Sequence, residues 1–216
     1  MSSKDKNKSK RKKSDANMTK KLDEKFSEIY GEQFGNEKIS RVNVADANLD
    51  YIRIFGANKN LLRITPSLIS GLKPGKTRCY YNWWETQGRP QNTKPETLKK
   101  LEFYKVDELA STTVKYHPHG TSAMEEMLGK DGQPWNNNVM MLVPQGAYGN
   151  LRGDRVAAGR YIEAKMSEYT IDCFFDDFDS YCVPMQKAYT GKAMEPEFLP
   201  AKYPHVLFNP SFSGIG

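Results

Sequence analysis

Residues 106–128 read VDELASTTVKYHPHGTSAMEEML, two helix-forming pieces on either side of a break. The spacing of the apolar residues predicts one helix over 106–115 and a second one to the end of the stretch. The break is His117-Pro118-His119-Gly120, and Thr121 or Ser122 is suited to cap the second helix. A helix, a tight turn and a second helix are typical of DNA-binding proteins, in which the second helix enters the major groove.

The remaining segments alternate between helical and extended patterns. We expect helices over residues 15–38, 76–84, 95–103 and 159–175, and another that starts at Pro66. Strands are predicted over 139–143 and near 205–208, and turns or loops over 71–75, 87–94 and 146–153. Residues 39–62 fit either an extended arm or a short helix followed by a loop. The pattern predicts an α+β fold that is mainly α, with a compact part beginning near Arg63.

The basic charge of the chain is concentrated at its start. Lys and Arg number 32 against 26 Asp and Glu, for a net charge of +6, and residues 1–14 hold seven basic side chains and one acidic one. Because so polar a segment cannot bury apolar surface, we expect residues 1–15 to be a disordered tail. The sequence leaves two roles open for it, a solubilising arm and a non-specific contact with phosphates.

The three cysteines, Cys79, Cys173 and Cys182, are odd in number and lack the spacing of a metal site. We expect reduced thiols in a cytosolic protein, with no metal held by this chain. The early charges are not followed by the apolar run of a secretory signal, and residues 139–143 are too short an apolar run to cross a bilayer. The sequence therefore predicts a cytoplasmic protein that has no membrane partner.

Residues 152–163 read RGDRVAAGRYIE and place a guanidinium beside a phenol at Arg160-Tyr161. A tyrosine has an ordinary pKa of about 10, so it becomes a nucleophile only when its proton is removed or its developing phenolate is stabilised. An adjacent arginine keeps its charge and can hold a phosphate through two parallel hydrogen bonds. The pair suits attack on a phosphodiester, but Arg-Tyr is a common dipeptide, and taken alone it favours a tyrosine that only packs.

Several short motifs follow one another from Gly71 to the end of the sequence. They are Gly71-Leu72-Lys73-Pro74, Tyr116-His117-Pro118-His119-Gly120, Gln145-Gly146-Ala147-Tyr148-Gly149, Ala157-Ala158-Gly159-Arg160-Tyr161, Phe198-Leu199-Pro200 and Ser213-Gly214-Ile215-Gly216. In this order and spacing, residues 63–216 resemble the breakage-reunion region of the type IIA DNA topoisomerases. That family includes the A subunits of gyrase and topoisomerase IV and the phage medium subunits.

The resemblance implies a winged-helix domain built on the helix-turn-helix. The implied division is a basic tail (1–15), an N-terminal helical or extended arm (16–62), a winged-helix DNA-cleavage domain (63–190) and the truncated start of a tower domain (191–216). Family members continue beyond this point. The resemblance therefore also implies a fragment or a split subunit that works with a C-terminal piece.

The same resemblance implies an activity. Tyr161 is expected to attack double-stranded DNA and to stay linked to the 5′ phosphate, with Arg160 stabilising the transition state. Two copies would cut both strands, pass a second duplex through the gap and rejoin the breaks. The chain has no phosphate-cradling loop of the nucleotide-binding kind and no Asp-x-Asp pair in a Glu-rich strand context. ATP is therefore expected in the partner ATPase subunit, and Mg²⁺ mainly in a partner's TOPRIM domain. The implied enzyme is an ATP-hydrolysing type II DNA topoisomerase, an isomerase associated with the nucleoid of a bacterium or a phage-infected cell.

Other residues receive roles from their positions in the family's motifs. Those expected to contact DNA are Arg63, Lys73, Lys76, Arg78, His117, His119, Ser122, Arg152, Arg155 and Ile215. Ile215 corresponds to the residue that wedges between base pairs, and Ser122 with Glu126 corresponds to the pair through which quinolones bind. The two histidines are equally compatible with a structural turn.

The sequence leaves one alternative function open, a non-catalytic winged-helix module that binds or bends DNA. A stand-alone tyrosine transesterase such as a recombinase is disfavoured. Enzymes of that class surround the tyrosine with a different set of Arg and His residues, late in a longer chain.

Overall fold

The computed structural model describes residues 20, 21, 24, 43–59, 63–178, 182–203 and 205–209. The basic tail, Ile215 and the helix predicted over 15–38 lie outside the described residues, apart from helical positions 20, 21 and 24. The chain forms two compact units, Met1–Arg53 and Ile54–Gly216. Helix α1, Val44–Lys59, is the helix that one of the two interpretations of residues 39–62 predicts.

Helix α2, Pro74–Thr86, supplies much of the apolar core. A proline opens it, because the ring fixes a helical φ and the missing N–H is not needed in the first turn. Its buried apolar side chains are Cys79, Tyr80, Tyr81, Trp83 and Trp84. Trp84 stacks on Phe175 with ring centroids 5.0 Å apart. The helix predicted over 76–84 is confirmed and is longer at both ends.

Three further helices follow along the chain, α3, Pro95–Lys99, α4, Val106–Thr113, and α5, Ser122–Asp131. The two helices predicted on either side of residues 117–120 are thus confirmed as α4 and α5. The helix predicted over 95–103 ends early, because Leu101 turns into the core and the chain becomes extended.

A three-stranded antiparallel sheet packs beside these helices, with strands β1, Tyr104–Lys105, β2, Leu142–Gln145, and β3, Glu163–Met166. The strand order is β1-β3-β2, so β3 is the central strand. Tyr104 pairs with Ala164 on one side of β3, and Leu142 pairs with Met166 on the other. The connection between β2 and β3, residues 146–162, therefore joins two adjacent antiparallel strands at one end of this sheet.

The helix predicted over 159–175 is wrong. The segment contains a 3₁₀ turn, Gly159–Tyr161, then β3, and then helix α6, Glu168–Phe174. Ile162, Ala164 and Met166 alternate into the core, which is the period of a strand. Pairing with two neighbouring strands outweighs the local helical preference of the small residues.

Two other predictions at element ends are also wrong. Residues 66–70 form a turn and not a helix, with the Gly71 N–H donating to the Ser67 carbonyl at 2.8 Å. The strand predicted near 205–208 is helix α7, His205–Phe208, and the preceding hairpin is β4, Met185–Lys187, with β5, Met194–Pro196.

The strand predicted over 139–143 is confirmed only from Leu142 onward. Val139 exchanges two hydrogen bonds with the Asn209 side chain, at 3.0 and 2.7 Å. These bonds satisfy the Val139 backbone without a neighbouring strand.

Helices and small antiparallel sheets together confirm the α+β class. The three cysteines are free thiols, with Cys79 and Cys173 buried and Cys182 exposed. Among the described helices, none has both the length and the apolar character needed to cross a membrane.

Candidate functional site

The 3₁₀ turn at Gly159–Tyr161 is fixed against the first turn of α4 and against α5. A Cβ atom on Gly159 would lie 2.9 Å from the Asp107 backbone nitrogen and 2.8 Å from Glu125 Oε2. Only glycine fits such an approach. The Val106 N–H donates to the Ile162 carbonyl at 3.1 Å, and the Tyr161 N–H donates to the Ala158 carbonyl at 2.8 Å. The backbone that carries the candidate nucleophile is therefore held from both sides.

Tyr161 points outward from this turn, with 66% of its surface exposed. The Arg160 guanidinium lies over its ring, with Cζ 4.8 Å from the ring centroid. A side chain this exposed does not pack in the core, so packing does not explain the tyrosine at this position. Its exposed ring is accessible to a large substrate. A guanidinium beside the phenol is placed to stabilise negative charge that develops on the tyrosine or on a bound phosphate.

The glycines of the Gln145–Gly149 motif shape the loop that leads to this turn. Gly149 has φ of +85°, and a Cβ there would come within 2.5 Å of the Asp154 carbonyl oxygen. Tyr148 lies against Gly132 and donates its hydroxyl to the Glu163 carbonyl at 2.8 Å. These contacts tie the loop to α5 and β3, and the tip of the loop carries the exposed side chains of Arg152 and Arg155.

A second group of predicted site residues lines a cleft of about 330 Å³ beside α2 and α5. We call it the basic cleft; its predicted members are Arg63, Lys73, Lys76, His117 and Glu126. Arg63 is exposed and Lys73 is half-buried. The fold thus brings together cations that are far apart in the sequence.

Lys76 is buried in this cleft. Its ammonium lies 2.6 Å from Asp131 Oδ1, and Tyr80 donates its hydroxyl to Asp131 Oδ2 at 2.8 Å. Burial lowers the pKa of Lys76, and the Asp131 carboxylate opposes that shift. The charge of Lys76 is therefore directed into the protein, where it joins α2 to the end of α5.

Arg78 is likewise engaged within the protein. Its guanidinium forms a forked pair with Glu195, at 2.8 Å from Nη2 to Oε1 and 2.9 Å from Nε to Oε2. Its Nη1 lies 3.3 Å from Nδ1 of His117. Burial, followed by the charges of His119, Arg78 and Arg63, lowers the pKa of His117 to about 4. At neutral pH this imidazole is uncharged.

His119 is exposed, and its ring centroid lies 4.6 Å from that of His117. Ser122 and Glu126 lie on the exposed side of α5, where Glu126 pairs with Lys130 at 2.7 Å. A hydrogen bond and the charge of Lys130 lower the pKa of Glu126. Ser122 and Glu126 line a cleft of about 440 Å³ that also reaches Ala158 and Gly159, next to the tyrosine turn.

Sequence reasoning missed the carboxylates that hold these cations. Asp131 and Glu195 are both buried and both pair with a residue of α2. Glu195 lies three residues before the Phe198-Leu199-Pro200 motif, but its pairing with Arg78 depends on a partner distant in the sequence. A buried acid in β5 is the signal that points to such a partner.

Comparison with known proteins identifies the family of this chain. A family model that describes the A subunit of DNA gyrase/topoisomerase IV matches residues 63–216. The chain is 31% identical over 150 residues to the DNA gyrase A subunit of Streptomyces coelicolor, covering 69% of this chain and 16% of that protein. It is 31% identical over 153 residues to the DNA topoisomerase 4 A subunit of Mycoplasma pneumoniae, covering 71% and 18%. It is 35% identical over 147 residues to the DNA gyrase A subunit of Streptococcus pyogenes, covering 68% and 17%.

The chain thus spans less than a fifth of the length of these relatives. The matched region includes α2, the helix-turn-helix and the Arg160-Tyr161 turn. The family predicted from the motifs is confirmed: the chain belongs to the family of DNA gyrase and topoisomerase IV A subunits.

Proposed function

We propose that this chain is the DNA-cleaving part of a type II DNA topoisomerase. The Tyr161 hydroxyl loses its proton as its oxygen attacks a backbone phosphorus, the bond from phosphorus to the 3′ oxygen breaks, and the 3′ oxygen takes up a proton and leaves as a hydroxyl. The 5′ phosphate then stays linked to Tyr161, and reversal of the same step rejoins the strand. The observation that carries the proposal is the exposed Tyr161 under the Arg160 guanidinium, on a turn fixed by α4 and α5.

We propose a winged helix as the scaffold, with a cleavage domain over 63–190 and the start of a tower domain over 191–216. Three helices, α2, α4 and α5, and a sheet of order β1-β3-β2 support this proposal. The connection over 146–162 corresponds to the wing, and α5 corresponds to the helix that enters the major groove. Tyr161 then stands where the wing returns to the sheet.

The proposed DNA contacts fall into two groups. Arg63 and Lys73 of the basic cleft and Arg152 and Arg155 of the loop tip are placed to meet phosphates. His119 and Ser122, both exposed, lie near the turn between α4 and α5. Phosphate contacts position DNA without reading its sequence, so we expect little sequence preference from them. By resemblance alone, Ile215 is proposed as the wedge that kinks the duplex.

The proposal assigns Mg²⁺ and ATP to partner subunits. Within the described residues, no three or more His, Cys, Asp or Glu side chains converge as a metal site. From the resemblance to the family, we propose that the TOPRIM domain of a partner binds Mg²⁺ and that the partner ATPase uses ATP. Two copies of this chain, with their C-terminal pieces, would complete a double-strand break.

The decisive experiment is the Tyr161→Phe substitution in the assembly purified from its native source. Tyr161→Phe keeps the ring and removes the hydroxyl, so the covalent DNA adduct in a denaturing gel should disappear while DNA binding persists. Tyr189→Phe is the matched control, because Tyr189 is 78% exposed and lies outside the proposed site. An adduct formed by Tyr161→Phe would refute the nucleophile. DNA binding with no adduct from the unaltered assembly would favour the non-catalytic module.

A further inference from the structure

A chain of three side chains, Glu195, Arg78 and His117, runs from the β4–β5 hairpin to the basic cleft. Glu195 of β5, only 1% exposed, holds Arg78 of α2 through the forked pair, and Gln186 donates a further hydrogen bond to Glu195 at 3.2 Å. The remaining nitrogen of the guanidinium, Nη1, reaches Nδ1 of His117 at 3.3 Å. Arg78 is thus fixed by a carboxylate on one side and directed at an imidazole on the other.

The chemistry of the guanidinium determines which imidazole nitrogen carries the proton. All five N–H groups of an arginine donate, and none of its nitrogens accepts a hydrogen bond. Nδ1 of His117 must therefore be the acceptor, which leaves the proton on Nε2. The Cε1 and Nε2 edge of the ring lies against Gly75, where a Cβ would be 3.5 Å from Nε2. His117 and Gly75 both line the basic cleft.

The surroundings also disfavour a charged imidazole. Positive charges face His117 from Arg78, Arg63 and His119, and burial disfavours the charged form further. The other ionisable side chains of the cleft are Lys73, Lys76, Glu126, Lys130 and Asp131. The carboxylates nearby are each paired with a cation: Asp131 with Lys76, Glu126 with Lys130, and Glu195 with Arg78.

We infer that Glu195 and Arg78 are positioning residues that hold His117 as the Nε2–H tautomer, which offers a phosphate oxygen in the basic cleft a neutral hydrogen-bond donor. The inference rests on the proposed function, because it takes the cleft to be a phosphate site. Nδ1 is occupied by Arg78 and Nε2 already carries a proton. His117 therefore does not accept the proton that leaves Tyr161.

The first test reads the tautomer directly and needs no DNA. The chain has three histidines, so a ¹⁵N-histidine-labelled sample gives a small and assignable set of ring signals. At pH 6 the His117 signals should show an unprotonated Nδ1 and a protonated Nε2. Arg78→Met removes the donor and a positive charge, so Nδ1 should become partly protonated and the midpoint of titration should rise. A charged ring or an Nδ1–H tautomer in the unaltered chain would overturn the inference, even if no variant folds.

The second test measures DNA affinity in a variant whose charge change and whose loss of positioning predict opposite effects. Glu195→Gln removes a negative charge from the protein, and by simple electrostatics this should strengthen binding to a short DNA duplex. Our inference predicts the opposite, because a loosened Arg78 no longer fixes the donor. We expect an affinity loss of about tenfold, the size of one hydrogen bond to a charged group. Glu197→Gln is the matched control, since Glu197 is exposed and two residues away.

The outcomes separate the inference from the proposed function. If the unaltered chain does not bind the duplex at low salt, the proposed function fails, and the ring signals still decide the tautomer. If the chain binds and Glu195→Gln binds equally well or more tightly, the positioning role of Glu195 is overturned. If Glu195→Gln weakens binding and Glu197→Gln does not, the inference is supported. The Glu195→Gln ring signals should then also show a less uniform tautomer.

Discussion

Arg160 stacks its guanidinium on the ring of the residue that follows it, Tyr161, with Cζ 4.8 Å from the ring centroid. Neighbouring residues of an extended strand point to opposite faces, so this contact depends on the 3₁₀ turn. That 3₁₀ turn depends on Gly159, which lies between the start of α4 and Glu125. The two side chains therefore lie against each other only because the fold bends the chain at this point.

The proposed contribution of Arg160 can be measured without changing Tyr161, the proposed nucleophile. In the native assembly we expect Arg160→Ala to slow adduct formation by about 10²- to 10³-fold, the usual cost of losing one preorganised charge stabiliser. The rate for Arg160→Lys should lie between those of Arg160→Ala and the unaltered assembly, because an ammonium keeps the charge but lacks the planar fork of a guanidinium. The rate is read from denaturing gels at saturating DNA. Arg89→Lys serves as the control and should not change it; equal rates for Arg160→Ala and the unaltered assembly would contradict the role.

Gly159→Ala tests the packing beneath the tyrosine. The added methyl group would meet a backbone nitrogen at 2.9 Å and Glu125 Oε2 at 2.8 Å, so the turn must shift. We expect slower cleavage in a chain that still folds. Adding Glu125→Ala removes the clash with the flexible Glu125 side chain but not the clash with the backbone nitrogen. The double variant should therefore recover only part of the cleavage rate. Gly56→Ala is the matched control, since a Cβ on Gly56 would contact none of the described residues; full activity of Gly159→Ala would count against a fixed turn.

The sequence predicted the helices around residues 117–120 and the Arg160-Tyr161 motif because both depend on local patterns. It failed at residues 159–175, where small residues favour a helix locally but β3 forms by pairing with β1 and β2. It also could not show that Lys76 and Arg78, both expected from the resemblance to contact DNA, are paired within the protein. Their partners, Asp131 and Glu195, are distant in the sequence and come close only in the folded chain.

Breaking the buried Lys76 and Asp131 pair should lower the free energy of unfolding more than breaking an exposed ion pair does. Lys76→Met leaves the buried Asp131 carboxylate without its cation, although the Tyr80 hydroxyl still donates to it, and breaking such a pair typically costs about 3–5 kcal/mol of unfolding free energy. Lys76→Met with Asp131→Asn removes both charges and should recover at least half of the loss. Lys130→Met removes an exposed pair and should cost below about 1 kcal/mol. Urea unfolding of the four chains decides this, and equal losses for Lys76→Met and Lys130→Met would exclude a structural role for the buried pair.

Acidification should destabilise the chain before its carboxylates titrate. Burial lowers the pKa of His117 and of His205 from 6.5 to about 4, so between these values the unfolded chain binds protons that the folded chain does not. The free energy of unfolding must then fall as the pH drops from about 6.5 to about 4. The lowered pKa of Glu85 adds a loss in the same direction, but only below its ordinary value of 4.5. Urea midpoints should therefore decline between pH 6.5 and 4.5 in the unaltered chain and decline less when His117→Gln and His205→Gln are combined; a flat profile in the unaltered chain would show that these imidazoles are not held neutral.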